Sequence, residues 1–275
     1  MNKAIYRPKG KAGEYARWAC NLFKGCSNGC VYCYLRRGAL ATQMGDNKPL
    51  LKTCFKDQND AFLVFTGELL ESHNEIVAAG GLFFSFSTDP CLRETLDLTA
   101  MCVSFATGAG VPCYILTKRG EWITDGSIAY ESLSKTPSIR EKVAIGFSFS
   151  GDESQEPMAT SREGRIAALR RAKRDGFKTF ISLEPLLDTA GAEETIREAA
   201  QWTDHIKVGL LSGDAGFYEG KEESLALTVR RIVSYCGRMR IPVYLKESLV
   251  KVVGPMTEYE NVVDKDYSLF PIKKP

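Results

Sequence analysis

Three cysteines lie within eight residues near the amino end of the chain, where residues 25–34 read GCSNGCVYCY. The spacing CxxxCxxC lets Cys26, Cys30 and Cys33 wrap one face of a cubane iron–sulfur cluster, and Gly25 and Gly29 allow the backbone conformations that so tight a loop needs. Three ligands for four irons leave one iron open, and an open iron can chelate a small molecule. The segment therefore predicts a 4Fe–4S site with room for a ligand.

Other uses of these cysteines fit the sequence less well. A structural zinc site needs four ligands, and the next cysteine along the chain, Cys54, is distant. A ferredoxin-like carrier also needs a fourth nearby thiolate, and plain burial in a core does not explain the clustering. A non-enzymatic iron–sulfur electron carrier or a zinc-binding interaction module stays open as the competing interpretation.

Composition sets the broad class of the protein. The 275 residues are 44% hydrophobic, and the net charge of +2 lacks the basic excess typical of nucleic-acid binders. No run approaches the roughly 20 apolar residues of a membrane span, and the first residues lack a secretory signal. Nine cysteines, an odd count, suit metal ligation or core packing better than disulfides, so we expect a cytoplasmic protein without a membrane partner.

Strand-like and helix-like segments alternate along almost the whole chain. Seven apolar, β-branched or aromatic runs are expected as strands: Trp18–Leu22, Leu82–Ser87, Cys113–Thr117, Val143–Phe149, Lys178–Leu183, His205–Leu211 and Ile241–Leu245. The clearest helix begins at Thr160, where Glu163 completes a capping box, and ends at Gly176. Other helices are expected at about residues 58–78, 92–107, 121–134, 193–201 and 222–237.

This alternation implies right-handed crossovers and a parallel sheet, either open or curled into a partial barrel. No linker marks a boundary, so we expect a single α/β domain over residues 1–275, with the cysteine loop at 24–35 and a short polar tail on the surface after Gly254. Chemistry in such folds takes place at the carboxyl ends of the strands. Those ends carry hydroxyl, carboxylate or amine groups here: residues 85–89, 117–118, 148–150, 183–184, 211–212 and 246–248.

The CxxxCxxC loop, with an aromatic residue, Tyr32, directly before the last cysteine, resembles that of the radical S-adenosylmethionine (SAM) superfamily. The resemblance implies a partial (β/α)6-type TIM barrel of parallel strands and a 4Fe–4S cluster whose free iron binds SAM. It also implies reductive cleavage of SAM to methionine and a 5′-deoxyadenosyl radical, which abstracts a hydrogen atom from the substrate. An external electron donor such as flavodoxin or ferredoxin would then be a partner.

The closer resemblance is to the spore photoproduct lyase-like branch. The loop CVYCYL at 30–35, the turn STDP at 87–90 and the strand ends at 116–118 and 147–150 are similar to its motifs. The resemblance implies SAM contacts from Tyr32, Ser87, Thr88, Asp89, Lys118, Ser148 and Ser150. Asp89 suits the SAM ammonium, and Lys118 and Ser148 suit its carboxylate or ribose. Asp89 is also consistent with an ordinary turn before a helix.

Substrates differ within this branch. The photoproduct lyases carry a hydrogen-donating cysteine where this chain has Phe86, unless Cys91 takes that role. The branch also includes a lyase that releases queuine from queuosine or its 5′-phosphate. The short chain and near-neutral charge favour such a small nucleoside-type substrate over nucleic acid, with repair of a DNA lesion as the alternative.

Three strand-end or loop residues are candidates for catalysis. Glu184 ends the fifth strand, Lys246 ends the last strand, and Asp214 lies in the glycine-rich loop after the sixth. A carboxylate at the barrel mouth can bind substrate hydroxyls or move a proton. Each of the three is also consistent with a capped turn or a surface ion pair.

The remaining polar and sulfur-containing residues have simpler expected roles. Arg162 and Arg165 belong to a basic run that is expected as a solvated helix face. At the amino end of that helix they also suit a phosphate-bearing substrate if they face the site. His73 is expected in solvent and His205 in a structural position. The other cysteines in apolar surroundings are expected in the core: Cys20, Cys54, Cys102, Cys113 and Cys236.

Overall fold

The computed structural model of the protein describes residues 4–36, 41 and 47–270. Eleven strands occur in this part of the chain: β1 (Ile5–Tyr6), β2 (Ala19–Cys20), β3 (Phe23–Lys24), β4 (Leu50–Leu51), β5 (Leu82–Phe84), β6 (Cys113–Thr117), β7 (Val143–Phe149), β8 (Lys178–Leu183), β9 (His205–Val208), β10 (Val243–Leu245) and β11 (Val262–Val263). The small pair β3–β4 is antiparallel and lies outside the main sheet.

Ten α-helices separate these strands in the described residues. They are α1 (Gln58–Glu71), α2 (His73–Ala78), α3 (Leu96–Gly108), α4 (Glu121–Thr124), α5 (Ile128–Lys135), α6 (Pro137–Arg140), α7 (Arg162–Arg174), α8 (Thr189–Ala199), α9 (Glu222–Arg238) and α10 (Glu247–Val253). The basic helix α7 begins at Arg162, two residues after the expected start at Thr160, because Ser161 is its cap: the Ser161 hydroxyl accepts from the Gly164 amide, while the Thr160 hydroxyl accepts from the Gly120 amide.

The main sheet has nine strands in the order β1-β2-β5-β6-β7-β8-β9-β10-β11. Neighbours from β2 to β11 are parallel, and β1 adds an antiparallel edge. Strands follow each other across the sheet in chain order, so successive crossovers turn the same way and curl it. No pairing within the described residues joins β1 to β11, so the expected partial barrel of parallel strands is confirmed and its edge is open.

Side chains alternate between the two faces of this sheet, as strand geometry requires. On β7, Ile145 and Phe147 point outward into the large core between sheet and helices. Ala144 points inward and joins Phe83 and Phe180 in a second core inside the barrel. A Cβ atom on Gly146 would lie 2.4 Å from the Phe180 ring, so that ring takes the space of an inward side chain there.

The inward positions become polar toward the carboxyl ends of the strands. Ser148, Ser182, Lys207 and Tyr244 are neighbours in the register of β7, β8, β9 and β10. The period of two that keeps apolar residues outward therefore brings these polar groups together in one layer. Ser148 and Ser182 of this layer line the cavity at the carboxyl ends of the strands.

Several element boundaries differ from the sequence expectation. The strand expected at Leu82–Ser87 ends at Phe84, because the Ser85 hydroxyl donates to the Thr88 carbonyl and closes a turn. The helix expected over 121–134 is divided into α4 and α5 at Gly126, whose φ of 68° is left-handed. The one expected over 58–78 is likewise divided, at Ser72.

Both ends of the described chain contribute to the barrel. The described tail after Gly254 lies mostly at the surface, as expected, but its last described residue does not: Phe270 is buried inside the barrel, 5.3 Å from the Tyr114 ring centroid. At the other end, a short 3-10 helix, Gly10–Glu14, crosses to the carboxyl end of β10. There the Glu14 carboxylate accepts hydrogen bonds from the Tyr244 hydroxyl and the Glu247 amide, at 2.8 and 2.9 Å.

Helices long and apolar enough to cross a bilayer are not found among the described residues.

Candidate active site

A cavity of about 750 Å³ opens at the carboxyl ends of the parallel strands. Its size is in the range typical of cofactor and substrate sites. The three cysteines of the CxxxCxxC loop line it together with most of the predicted site residues: Tyr32, Thr88, Asp89, Lys118, Ser148, Glu184 and Lys246. The sequence prediction of one shared site at this edge of the sheet therefore agrees with the geometry.

The cysteine loop is fastened to the segment after β7. The Val31 amide donates to the Gln155 carbonyl at 2.9 Å, and the Met158 amide donates to the Asn28 carbonyl at 3.2 Å. Gly29 has a φ of 71°, and a Cβ there would approach the Met158 side chain at 3.3 Å. Left-handed backbone and close packing both require a glycine at this position.

Burial governs the protonation of the three thiols. It raises the pKa of Cys26 to about 12, and the Asp89 charge adds to the effect. Burial also raises the pKa of Cys30 and Cys33, while the Lys118 ammonium lowers it at both. Thiolates in this cavity therefore need a compensating positive charge, which is what iron supplies to cysteine ligands.

Three thiols on one loop are a donor set that a cubane cluster uses. Within the described residues, no group of three or more His, Cys, Asp or Glu side chains converges on a point where a single metal ion would sit. A cubane does not require such convergence, because each thiolate binds a different iron. Asn28 offers a further partner: its Oδ1 is buried and accepts no hydrogen bond from the described residues.

Asp89 joins the cysteine loop to the neighbouring strand ends. Its Oδ2 accepts from the Asn28 side chain at 2.7 Å and from the Lys118 amide at 2.8 Å. Its Oδ1 accepts from the Thr117 hydroxyl at 2.6 Å and from the Cys91 amide at 2.9 Å. Four hydrogen bonds engage both oxygens, so Asp89 holds the architecture of the site in addition to presenting negative charge to the cavity.

A buried ionic cluster lies behind Lys118. The Lys118 ammonium donates to the Ser148 hydroxyl at 2.8 Å and lies 3.9 Å from the Glu156 carboxylate. Glu156 also accepts from the Tyr32 hydroxyl and lies 2.6 Å from the Arg165 guanidinium. Burial and the Glu156 charge together raise the pKa of Tyr32 well above its ordinary value. Glu156 thereby fixes both Tyr32 and Lys118 at the wall of the cavity.

Two of the predicted SAM contacts have other partners. The Ser87 hydroxyl donates to the Phe23 carbonyl, and the Ser150 hydroxyl donates to the Asp152 carbonyl at 3.0 Å. Neither side chain belongs to the described lining of the cavity. Both are buried and hold turns, whereas Thr88 and Ser148 from the same motifs do face the cavity.

The opposite wall of the cavity holds Glu184 and Lys246. The Lys246 ammonium donates to Glu184 Oε1 at 3.0 Å and to the Lys11 carbonyl at 3.2 Å. The Tyr15 hydroxyl donates to Glu184 Oε2 at 2.5 Å, and burial with the Glu184 charge raises the pKa of Tyr15 well above its ordinary value. Each oxygen of Glu184 therefore has its own donor, and the carboxylate has a fixed orientation.

Lys207 lies beneath Tyr15. Its ammonium donates to the Tyr15 carbonyl at 3.1 Å, and it lies 4.8 Å from the Tyr15 ring centroid, as does the Lys246 ammonium. Burial, reinforced by the Lys246 charge, lowers the pKa of Lys207 to about 7, while Glu184 and Glu14 oppose the change.

Lys207 makes stability depend on pH. The unfolded chain keeps this proton up to its ordinary pKa of 10.5, so between about pH 7 and pH 10 folding releases a proton and stability rises with pH. We expect the free energy of unfolding of Lys207→Met to exceed that of the parent by the largest amount below about pH 7. Above pH 7 this difference should shrink by up to about 1.4 kcal/mol per pH unit. Urea unfolding at about pH 6, 7 and 8.5 measures this; a difference independent of pH would contradict it.

Several other predicted residues lie outside the cavity lining. Asp214 is half-buried in the loop before a short 3-10 helix, next to Gly213, which does line the cavity. Arg162 pairs with three carboxylates, those of Glu163, Glu194 and Glu198. Arg165 is buried against Glu156. Neither arginine belongs to the described lining of the cavity, so the condition for a phosphate contact there is not met.

The cysteines and histidines outside the loop divide between core and surface. Cys20, Cys102, Cys113 and Cys236 are buried as expected, but Cys54 is exposed. Cys91 is buried and does not belong to the described lining of the cavity, so it is not placed to act on a ligand there. His205 is buried, with its ring centroid 4.8 Å from that of Tyr267, and it does not belong to the described lining of the cavity. His73 is half-buried and hydrogen-bonds the Ala109 carbonyl at 2.8 Å, so its expected solvent position is wrong.

Five site residues were missed by sequence reasoning: Asn28, Tyr15, Glu156, Ser182 and Lys207. The alternation of side chains along a strand could have predicted Ser182 and Lys207, because both occupy inward positions of strands that the sequence analysis identified. Tyr15 and Glu156 lie in short 3-10 segments or at their ends, which have no such periodicity. Their partners are more than a hundred residues away along the chain.

Comparison with known proteins finds similarity in structure alone. No protein-family model and no curated protein sequence matches the chain. A mutant of spore photoproduct lyase with bound AdoMet and dinucleoside spore photoproduct is similar, with a TM-score of 0.59 and 16% identity over 84% of this chain and 76% of that one. Another mutant of that enzyme gives a TM-score of 0.63, and the enzyme complexed with dinucleoside spore photoproduct gives 0.61. Each of these two is 16% identical over 89% of this chain and 79% of its own. The chain therefore has the fold of spore photoproduct lyase.

Proposed function

We propose that this chain is a radical SAM enzyme, with a 4Fe–4S cluster held by Cys26, Cys30 and Cys33. The observation that carries the proposal is their position: the three cysteines line the same cavity as the polar strand ends of a spore photoproduct lyase fold. Such a cluster, when bound, supplies the electron that cleaves SAM and starts radical chemistry on the substrate.

The wall formed by β5, β6 and β7 suits SAM. Lys118 and Ser148 present an ammonium and a hydroxyl for the SAM carboxylate or ribose, and Glu156 and Asp89 keep them in place. Asn28 Oδ1 is a buried acceptor that the SAM ammonium would satisfy, and Tyr32 adds an aromatic face beside Lys118. Hydrogen bonds and ion pairs within the protein hold these side chains, which lowers the entropic cost of binding a ligand to them.

The wall formed by β8, β9 and β10 suits the substrate. Glu184 can accept hydrogen bonds from ribose hydroxyls, and Lys246 and Tyr15 hold its two oxygens. The Phe83 and Phe86 rings, from β5 and the turn after it, stack with centroids 4.6 Å apart and pack against Tyr15, so they give the cavity an apolar surface next to this wall. A dry wall with one oriented carboxylate protects a reactive intermediate from water and positions a nucleoside.

The substrate that we propose is queuosine or its 5′-phosphate, from which the enzyme would release queuine. The near-neutral charge of the chain and the size of the cavity, about 750 Å³, favour a small nucleoside-type substrate over nucleic acid. Repair of a DNA lesion is the second candidate, since the structural neighbours bind dinucleoside spore photoproduct. Phe86 lines the cavity near the place where a hydrogen-donating cysteine would be expected, which favours the nucleoside.

A low-potential iron–sulfur site also requires an electron donor and a reducing environment. We propose flavodoxin or ferredoxin as the donor and the cytoplasm as the compartment, because thiolate ligands persist where thiols are kept reduced.

Parallel assays separate the two substrates. Anaerobically reconstituted protein with dithionite and SAM would receive queuosine, queuosine 5′-phosphate or dinucleoside spore photoproduct, with products identified by mass spectrometry. We expect queuine from one or both queuosine compounds and no thymidine products from the dinucleoside. Thymidine products alone would replace our proposal with lesion repair.

Gly209→Ala tests the substrate wall. A Cβ at Gly209 would lie 2.7 Å from Lys246 Cδ and 2.8 Å from Glu184 Cδ, so both side chains must move. We expect product formation to fall roughly a hundredfold, because a displacement of about 1 Å has that effect on positioned groups. SAM cleavage without substrate should change little. Gly67→Ala is the matched control, since no atom lies within 4 Å of its added Cβ; equal product formation by the two variants would refute the assignment.

A further inference from the structure

Charge is divided unevenly along the chain. Residues 1–56, which carry the cysteine loop, contain eleven lysines and arginines but only two carboxylates, so their net charge is +9, although that of the whole chain is +2. The other 219 residues therefore carry a net charge of −7. Within the described part of residues 1–56 the one carboxylate is Glu14, which is buried against Tyr244. The surface of this part of the segment is therefore basic.

Three of these basic residues lie next to the cysteines. Lys24 ends β3, two residues before Cys26. The Arg36 amide donates to the Cys33 carbonyl at 3.0 Å, and Lys48 lies just before β4, the strand that pairs with β3. No carboxylate of the described residues forms an ion pair with any of the three. The cysteine loop is thus flanked on both sides by positive charge that the protein itself does not neutralise.

Two large apolar side chains are exposed on the same segment. Val31, within the cysteine loop, is 62% exposed, and Leu50 on β4 is 49% exposed. Leu50 is the register partner of Lys24, so both side chains lie on one face of the β3–β4 pair, whereas Phe23 on the other face is buried. Exposed apolar residues with charged neighbours are typical of a docking surface. We call this surface the cluster face: Lys24, Val31, Arg36, Lys48 and Leu50.

We propose that the cluster face docks an acidic electron-transfer protein, which supplies the electron that SAM cleavage requires. The inference rests on the proposed function, because it needs a cluster at Cys26, Cys30 and Cys33. In the transfer the carrier loses one electron and the cluster gains one, and no covalent bond forms or breaks. Electron transfer slows steeply with distance, and the cluster face includes a residue of the cysteine loop itself.

Charge complementarity selects this class of partner. Flavodoxins and ferredoxins are acidic, so they are attracted to the basic segment that holds the cysteines and repelled by the negative remainder of the chain. Interfaces of electron-transfer partners are small and transient, so a few charges and two apolar side chains suffice to orient the carrier. Such docking weakens as salt screens the charges.

Binding measures this docking without turnover. Oxidised flavodoxin, and separately oxidised ferredoxin, would be titrated calorimetrically into reconstituted protein without reductant, at about 10 mM and about 150 mM salt. We expect at least one carrier to bind, more weakly at the higher salt. Lys24→Gln/Lys48→Gln should weaken that binding at least about fivefold at low salt. Arg36 is left in place because it adjoins Cys33.

Lys142→Gln/Lys178→Gln is the matched control. Each pair of lysines has one half-buried and one exposed member, but Lys142 and Lys178 lie at the amino ends of β7 and β8, opposite to the cysteine loop. The control should bind the carrier as the parent does. Binding of neither carrier, or equal weakening in the two double variants, would overturn the proposal.

Electron delivery separates docking from chemistry. 5′-Deoxyadenosine would be measured with the reduced carrier and, in parallel, with dithionite, which needs no protein docking. We expect Lys24→Gln/Lys48→Gln to lose activity at least about fivefold with the carrier and to keep it with dithionite. Equal loss with both reductants would overturn the proposal. Failure of the parent protein to cleave SAM with dithionite would instead refute the proposed function, while the binding result stands by itself.

Nucleic acid is the competing occupant of a basic surface. A single-stranded DNA oligonucleotide would be titrated under the same conditions. We expect any DNA binding to be equal in the parent and in Lys24→Gln/Lys48→Gln. DNA binding that depends on these two lysines, without binding of either carrier, would replace the electron-transfer protein with nucleic acid.

Discussion

Cys30→Ala is expected to abolish both the iron–sulfur cluster and SAM cleavage. Cys30 is the central cysteine of the loop and is buried at the cavity wall. With it removed, two thiolates remain for a cluster that three must hold, and a cubane bound by two cysteines is lost readily. Iron and acid-labile sulfide after reconstitution should fall from about four of each per chain to near zero.

Cys54→Ala is the matched control, because Cys54 is an exposed cysteine outside the cavity. It should bind as much iron as the parent protein. Cys20 and Cys102 are unsuitable controls, since both are buried in the core and their removal would leave cavities. Full iron content in Cys30→Ala, or equal loss in Cys54→Ala, would contradict the assignment of the loop as the cluster site.

Glu156→Gln is expected to lower the free energy of unfolding by about 3–5 kcal/mol, because it leaves the buried Arg165 cation with only the distant, partly exposed Glu153 carboxylate, 3.9 Å away. The Arg165 guanidinium is 1% exposed, lies 2.6 Å from Glu156 and donates otherwise to the Ser148 carbonyl. Tyr32 and Lys118 lose the same carboxylate, so SAM affinity should also fall. Urea unfolding of the apoprotein measures the stability, and calorimetric titration measures SAM binding.

Glu131→Gln is the matched control for Glu156→Gln. Glu131 pairs with Lys135 one helical turn away on the surface of α5, where solvent screens the interaction. It should change stability little. In the double variant Glu156→Gln/Arg165→Met the uncompensated charge is gone, so much of the lost stability should return. A loss in Glu156→Gln no larger than in Glu131→Gln would show that the buried cluster does not stabilise the fold.

Sequence periodicity predicted the barrel and much of the site because both depend on local patterns. Apolar runs of five to seven residues marked β6, β7 and β8 within one residue of their ends. Parallel strands end at one edge, so the polar groups after them were expected to meet, and Asp89, Lys118, Ser148, Glu184 and Lys246 do. The CxxxCxxC loop could be recognised from the spacing of its own cysteines and glycines alone.

The features that were missed depend on contacts distant along the chain. Glu156 meets Tyr32, and Tyr15 meets Glu184, across separations of 124 and 169 residues. Phe270 enters the barrel from a polar segment whose composition suggested the surface. The motif around Asp89 predicted a ligand contact. In the structure its carboxylate also accepts four hydrogen bonds from backbone or side-chain groups of the protein, which the motif did not predict. No local pattern specifies such pairings, because packing of the whole barrel decides them.

The central claim is that this cavity cleaves SAM reductively, and one measurement tests it most directly. Anaerobically reconstituted protein would be incubated with dithionite and SAM, and 5′-deoxyadenosine would be quantified by mass spectrometry against a reaction without reductant. We predict 5′-deoxyadenosine that depends on reductant and accumulates to at least one equivalent per cluster in the presence of a substrate. A protein that carries its full iron and sulfide but forms no 5′-deoxyadenosine with any of the nucleoside or dinucleoside substrates would contradict the claim and favour an electron carrier.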